Sequence, residues 1–122
     1  MDEHAREALK TGGVIDITTR GRQTGLPRRI EIVYHVIDGR VYISGQPRAD
    51  RKRRWLLNLE ANPGFAFHLK GSLKADLAAR ARVVTDEAER REVLTYVARA
   101  WRRDDIDEMV AHSPLIEVTF EE

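Results

Sequence analysis

Residues 28–44, RRIEIVYHVIDGRVYIS, constrain this chain more than any other stretch. Residues 28–37 alternate apolar and polar side chains, with Ile30, Ile32, Tyr34 and Val36 on one face. A period of two over this length is a strand and not a helix. Asp38-Gly39 follows at once, a dipeptide that tolerates the positive φ angles of a two-residue hairpin turn. Residues 40–44 return as the partner strand. The chain therefore contains an antiparallel pair with one apolar face to bury.

The remaining elements follow from the same signals. Residues 2–10 suit a short helical turn, ended by Thr11-Gly12-Gly13. Residues 14–19 are β-branched and read as a strand. Residues 65–70 and 75–84 alternate again, joined through Gly71 as a second hairpin. Leu77, Ala79, Ala81 and Val83 share a face of the latter. A helix is expected over residues 51–61, capped by Asp50 and ended by Asn62-Pro63-Gly64. Another starts after Thr85-Asp86, with Asp86 and Glu89 placed as a capping box. Its buried stripe is Val93, Leu94, Val97, Ala98 and Trp101. A short helix over 105–112 and a strand over 115–120 complete the chain.

Six short strands, mostly antiparallel, with interspersed helices predict a mainly β, α+β fold: a small barrel with helices covering it. Parallel βαβ architecture is disfavoured, because only one helix of useful length follows a strand as a crossover would. At 122 residues the chain reads as a single domain, 1–122, with residues 1–12 a helical or flexible leading segment.

Composition removes several kinds of chemistry. There is no cysteine, hence no disulfide, thiolate metal site or cysteine nucleophile. His4, His35, His68 and His112 are scattered, and no pair has metal-ligand spacing with a carboxylate. No Walker A, HExxH or GxSxG pattern occurs. No apolar run is long enough for an integral membrane span. The N-terminus MDEHAREALK lacks the apolar region of a secretory signal, so a cytoplasmic location is expected. If the chain is an enzyme, a bound cofactor is expected to carry the reaction and no catalytic side chain is assigned.

The charge is informative in its distribution. Net charge is +1, yet residues 1–70 hold 13 basic and 8 acidic side chains. Two basic clusters account for this: TTRGRQTGLPRR, residues 18–29, and PRADRKRRW, residues 47–55. Both lie at strand-to-loop junctions, where backbone N–H groups can help to hold an anion. The second also starts a predicted helix, where cations oppose the macrodipole unless an anion sits there. Aromatic residues do not interleave with these arginines as they would in a single-strand nucleic-acid binder, so nucleic acid is not expected as a partner. A small anionic ligand fits better. Trp55 is either a core anchor or a wall for a flat ring.

Taken together, TTRGRQTGLPRR, DGRVYISG, RRWLLNLEANPGFAFHLKG and ADLAARARVVTDEAER resemble the deazaflavin (F-420)-dependent nitroreductase family. The resemblance runs from about residue 14 to the C-terminus. It implies a split β-barrel related to flavin-binding proteins of the pyridoxamine-phosphate-oxidase type. It further implies an oxidoreductase that uses reduced coenzyme F-420 to pass hydride to quinones, nitroaromatics or similar electron-poor small molecules. FMN is the alternative cofactor, and a non-catalytic flavin or deazaflavin carrier the alternative role. By the same resemblance, Arg22, Thr24, Gly25 and Arg28 would face the cofactor's phosphate and acidic tail. Ser44 and Gly45 would approach its ring with backbone groups, and Arg53, Arg54, Trp55 and Asn58 would line the same groove. Family members are monomers or homodimers, and some associate peripherally with membranes. GQPRADRKRRW and Leu56 depart from the usual pattern of the family.

Strand alternation should point Arg28 and Arg29 to opposite faces. Arg28→Ala is therefore expected to raise the Kd for F-420 more than Arg29→Ala, as read by tryptophan fluorescence. Equal losses would mark a merely basic surface.

Overall fold

Asp38 and Gly39 both take positive φ, 52° and 75°, and turn β2 (Pro27–Ile37) back into β3 (Arg40–Ser44). Ile37 lies opposite Arg40 and Tyr34 opposite Ile43. The computed structural model describes residues 1–121. β1 (Gly13–Arg20) pairs with β2 along its whole length, from Gly13 opposite Tyr34 to Arg20 opposite Pro27. β4 (Gly64–Lys70) and β5 (Lys74–Val83) form the second hairpin, and β6 (Leu115–Phe120) is the last strand. Around the sheet the order is β1-β2-β3-β6-β5-β4, and β4 returns to β1 to close the barrel. Every pairing is antiparallel. Closure means that neither β1 nor β4 is left as an open edge strand, although their ladder covers only Ile15 to Thr18 of β1.

The inward faces are those the alternation marked. Ile30, Ile32, Tyr34 and Val36 meet Leu77, Ala79, Ala81 and Val83 in one apolar cluster. Phe67, fully buried at its centre, packs edge-on against Tyr34 and Phe120 at 5.2 and 5.1 Å. α1 (Glu3–Leu9) adds Ala5 and Leu9 at one end of the barrel, held by the Tyr34 hydroxyl donating to the Leu9 carbonyl at 3.1 Å. α2 (Arg54–Ala61) covers the opposite end with Trp55, Leu56 and Leu59. Trp55 is thus a half-buried anchor on the barrel core.

α3 (Glu87–Trp101) and α4 (Ile106–His112) form a second cluster on the outside of β2 and β3. Val93, Leu94, Val97 and Ala98 are buried there, with Trp101 packed beside them.

Two expectations on helix starts are corrected. α2 begins at Arg54, not at 51, with Arg53 in the N-cap position and no side-chain cap. Asp50 does not cap it because its carboxylate is bound by Arg48, at 3.2–3.3 Å, which also holds its pKa low. The capping box of α3 is half formed. Asp86 accepts from the Glu89 N–H at 2.9 Å, but the Glu89 carboxylate turns to Arg82 and not back to Asp86.

Candidate functional site

The β1–β2 loop is shaped before any ligand arrives. Gly21 N–H donates to the Leu26 carbonyl and Gly25 N–H to the Gly21 carbonyl, both at 2.8 Å. Gly25 sits at φ 72°, a conformation that favours glycine. The Thr24 hydroxyl folds inward and accepts from the Leu26 N–H at 3.2 Å. A Cβ at position 21 would meet that oxygen at 2.7 Å, so Gly21 leaves the room Thr24 needs.

Asn58 joins this loop to α2. Its Oδ1 accepts from the Arg22 N–H and its Nδ2 donates to the Thr19 hydroxyl, both at 3.1 Å. Asn58 and Thr19 are buried. Arg54 stands one turn before Asn58, on the same face of the helix. The two basic clusters, separated by 17 residues in sequence, are therefore brought to one end of the barrel. Asn58 works here as the staple between them, with its amide engaged by the protein.

The arginines of the loop divide as alternation requires. Arg28 lies opposite buried Thr19 and so shares the barrel-interior face at its rim. Arg29 lies on the outer face and donates from Nε to Asp16 at 3.0 Å. The side chains of Arg22, Arg28 and Arg54 have no partner among the described residues. α2 has no acidic residue in its first turn to offset them.

The approach to α2 forms the other wall. The Ser44 hydroxyl donates to the Pro114 carbonyl at 2.6 Å, and Ser44 is buried. A Cβ on Gly45 would meet Pro114 Cγ at 3.1 Å and Arg53 Nη2 at 3.5 Å, so this strand end is packed against the start of β6. The Ser44 hydroxyl is thus engaged by the protein and is not free for a ligand. Arg53 donates from Nη2 to the Gln46 carbonyl at 2.5 Å. Burial lowers its pKa, and the neighbouring charges of Arg48 and Arg51 lower it further. An anion placed there would relieve both.

Beside this loop lies a cavity of about 480 Å3, walled by Arg48, Arg51, Arg53, Leu56, Arg90 and Ser113 among others. Arg48 is paired with Asp50 and Lys52 with Glu60, each at 3.2 Å, while Arg51 and Arg53 form no ion pair among the described residues. Arg90 closes the rear wall. Its guanidinium donates to the carbonyls of Val84, Val110 and Ser113 at 3.0, 2.9 and 2.6 Å, pinning the end of α4, and burial lowers its pKa. The buried Ser113 hydroxyl oxygen has no hydrogen-bond partner. Nothing in the sequence pattern marks Arg90 or Ser113; each reaches the cavity only through the docking of α3 and α4.

The donor set suits an anionic ligand: unpaired arginines at the rim and, in the neighbouring cavity, a half-buried cation among like charges and an orphaned hydroxyl in the wall. No group of acidic, histidine or cysteine side chains able to hold a metal ion occurs among the described residues. None of their helices is long and apolar enough to cross a membrane.

Residues 3–115 match the family model described as F420H(2)-dependent quinone reductase. Solved structures share the split-barrel fold at low identity. A conserved hypothetical protein from Mycobacterium tuberculosis is 18% identical, covers 100% of this chain and 82% of its own, and has a TM-score of 0.76. A Clostridium acetobutylicum protein related to general stress protein 26, of the pyridoxinephosphate oxidase family, has a TM-score of 0.70 at 17% identity, covering 99% and 87%. A structure described as an F420-H2 dependent reductase has a TM-score of 0.65 at 17% identity, covering 88% and 94%.

Replacing Asn58 by Ala leaves the Arg22 N–H and the Thr19 hydroxyl without their partner. The expected cost is about 2 kcal/mol of stability in urea titration. Hydrogen exchange at the Arg22 amide should also quicken. An unchanged midpoint and unchanged exchange would contradict the staple.

Proposed function

Because the chain belongs to the F420H(2)-dependent quinone reductase family, whose model spans residues 3–115, we propose that it is a deazaflavin oxidoreductase that reduces quinones or similarly electron-poor small molecules. What supports this reading is that Asn58 of α2 bonds both the Arg22 N–H and the hydroxyl of Thr19, which lies opposite Arg28, so that Arg22, Arg28 and Arg54, cations with no side-chain partner among the described residues, are carried on one end of the barrel. Nitroaromatic acceptors fall within the same proposal.

The residues present fit coenzyme F-420. Arg22, Arg28 and Arg54 would hold its phosphate and acidic tail by charge-assisted hydrogen bonds. Thr24 and Gly25 keep the loop in the shape that presents these arginines. Arg53 would balance further negative charge at the mouth of the cavity. The backbone at Ser44 and Gly45, with Trp55 near the helix start, would border the flat head. When bound, the deazaflavin supplies a hydride from its ring. The chain's contribution is to orient donor and acceptor and to keep water out, with α3 and α4 forming one side of the enclosure. Arg90 fixes that side by tying the end of α4 to the end of β5.

The test has two stages. Titrating the protein with F-420 and, separately, with FMN while following tryptophan fluorescence should show saturable binding of F-420, weakening as salt is raised. Adding reduced F-420 and menadione should then show catalytic consumption of both. Saturable binding without turnover would make the protein a carrier. Failure of either cofactor to bind would contradict the proposal.

A further inference from the structure

The outer face of the barrel carries an arrangement that the anion site does not use. Three strands cross this face side by side. Asp16 of β1 lies opposite His68 of β4, and His68 lies opposite Asp76 of β5. The next row along is Thr18, Ala66 and Ala78. Thr18 Oγ1 stands 2.7 Å from His68 Nε2, and His68 Nδ1 stands 2.7 Å from Asp76 Oδ1. His68 is buried. A carboxylate can only accept, so Nδ1 carries the proton toward Asp76 and Nε2 is left to accept from the Thr18 hydroxyl. Hydroxyl, imidazole and carboxylate in this order, through these two ring nitrogens, are the arrangement that activates an oxygen nucleophile. Asp16 does not compete for the ring, because Lys70 Nζ and Arg29 Nε hold its carboxylate at 2.7 and 3.0 Å.

The ground beside Thr18 is open. On the β4 and β5 side its neighbours are Ala66 and Ala78, while on the β2 side it lies opposite Arg29, whose Nε is turned to Asp16, and nothing lies within 4 Å of where a Cβ on Gly64 would stand. A cavity of about 310 Å3 is lined here by Thr18, Arg20, Pro27, Gly64 and Ala66. Arg20 is two residues along β1 on the Thr18 face, and Arg80 is opposite Gly64 on β5. Neither arginine has a side-chain partner among the described residues. Two unpaired cations thus stand about one to three strand spacings from a poised hydroxyl.

We propose that Thr18, His68 and Asp76 form a second, hydrolytic site that cleaves small carboxylic esters bearing a distal carboxylate, which Arg20 and Arg80 recognise. Thr18 Oγ adds to the ester carbonyl as its proton passes to His68 Nε2. The bond from the carbonyl carbon to the leaving alcohol oxygen breaks, and the alcohol takes that proton. Water, deprotonated by the same nitrogen, then displaces the acyl group as a free acid and restores the Thr18 hydroxyl.

The test measures release of 4-nitrophenol by the full chain from mono-4-nitrophenyl suberate and from 4-nitrophenyl octanoate, a neutral ester of the same acyl length. The suberate should be cleaved with saturation and with kcat/KM at least about ten-fold above the octanoate, the preference falling in Arg20→Gln and Arg80→Gln. Thr18→Val and His68→Gln should each lose about 100-fold or more in kcat, while Thr18→Ser keeps activity. Peptide mass mapping of wild-type protein quenched during turnover should find the acyl group on Thr18, a readout that needs no variant to fold. Wild-type rates in a folded Thr18→Val protein, an acyl group located elsewhere, or no release above buffer would overturn the proposal.

Discussion

The ladder between β4 and β1 is the constraint on which the rest of the structure depends. It is short, running from Ile15 opposite Leu69 to Thr18 opposite Ala66. Without it the sheet would have two open edges, and Phe67 would lose the enclosure that Tyr34 and Phe120 complete. The ladder also fixes what comes before β4. α2 leads straight into this strand, so pairing β4 with β1 lays α2 over the barrel end and brings Asn58 to Thr19 and Arg22. The same ladder sets His68 against Thr18. The placing of the rim arginines and the Thr18–His68 contact on the outer face thus have one structural origin.

Charge is arranged by pairing rather than by total. Acidic and basic residues are nearly equal in number, 20 against 21. The acids of the C-terminal half are nonetheless spent locally. Glu89 and Glu117 hold Arg82 and keep it more firmly protonated than usual, Asp107 holds Arg91, and Asp105 holds Arg103. On the barrel side, Lys70 takes both Asp16 and Glu31. The arginines at the rim are left over, and it is this surplus that would attract an anion there.

Elements with local signals were legible in the sequence. The Asp38-Gly39 turn, the alternation of β2 and β5 and the apolar stripe of α3 each repeat within a few residues, and each reads onward into the fold. The resemblance of the loop and helix motifs to a deazaflavin family agrees with the family model. What was not legible depends on contacts distant in sequence. Asp50 looks like a helix cap until Arg48 is seen to hold it. The two arginine clusters read as separate because the Asn58 bonds that join them cross 36 and 39 residues. The histidines read as scattered, since the partners of His68 lie on two other strands and only the barrel register brings them together. Arg90 and Ser113 enter the cavity wall through helix docking, which no local pattern specifies.

The central claim is that two arginine clusters, separate in sequence, act on one anion. A double-mutant cycle between Arg22→Ala and Arg54→Ala, read as the Kd for F-420, tests it most directly. Two cations that share a ligand and a staple should be coupled, with the double variant departing from the sum of the single losses by about 1 kcal/mol. Strictly additive losses, or no loss in either single variant, would contradict the account.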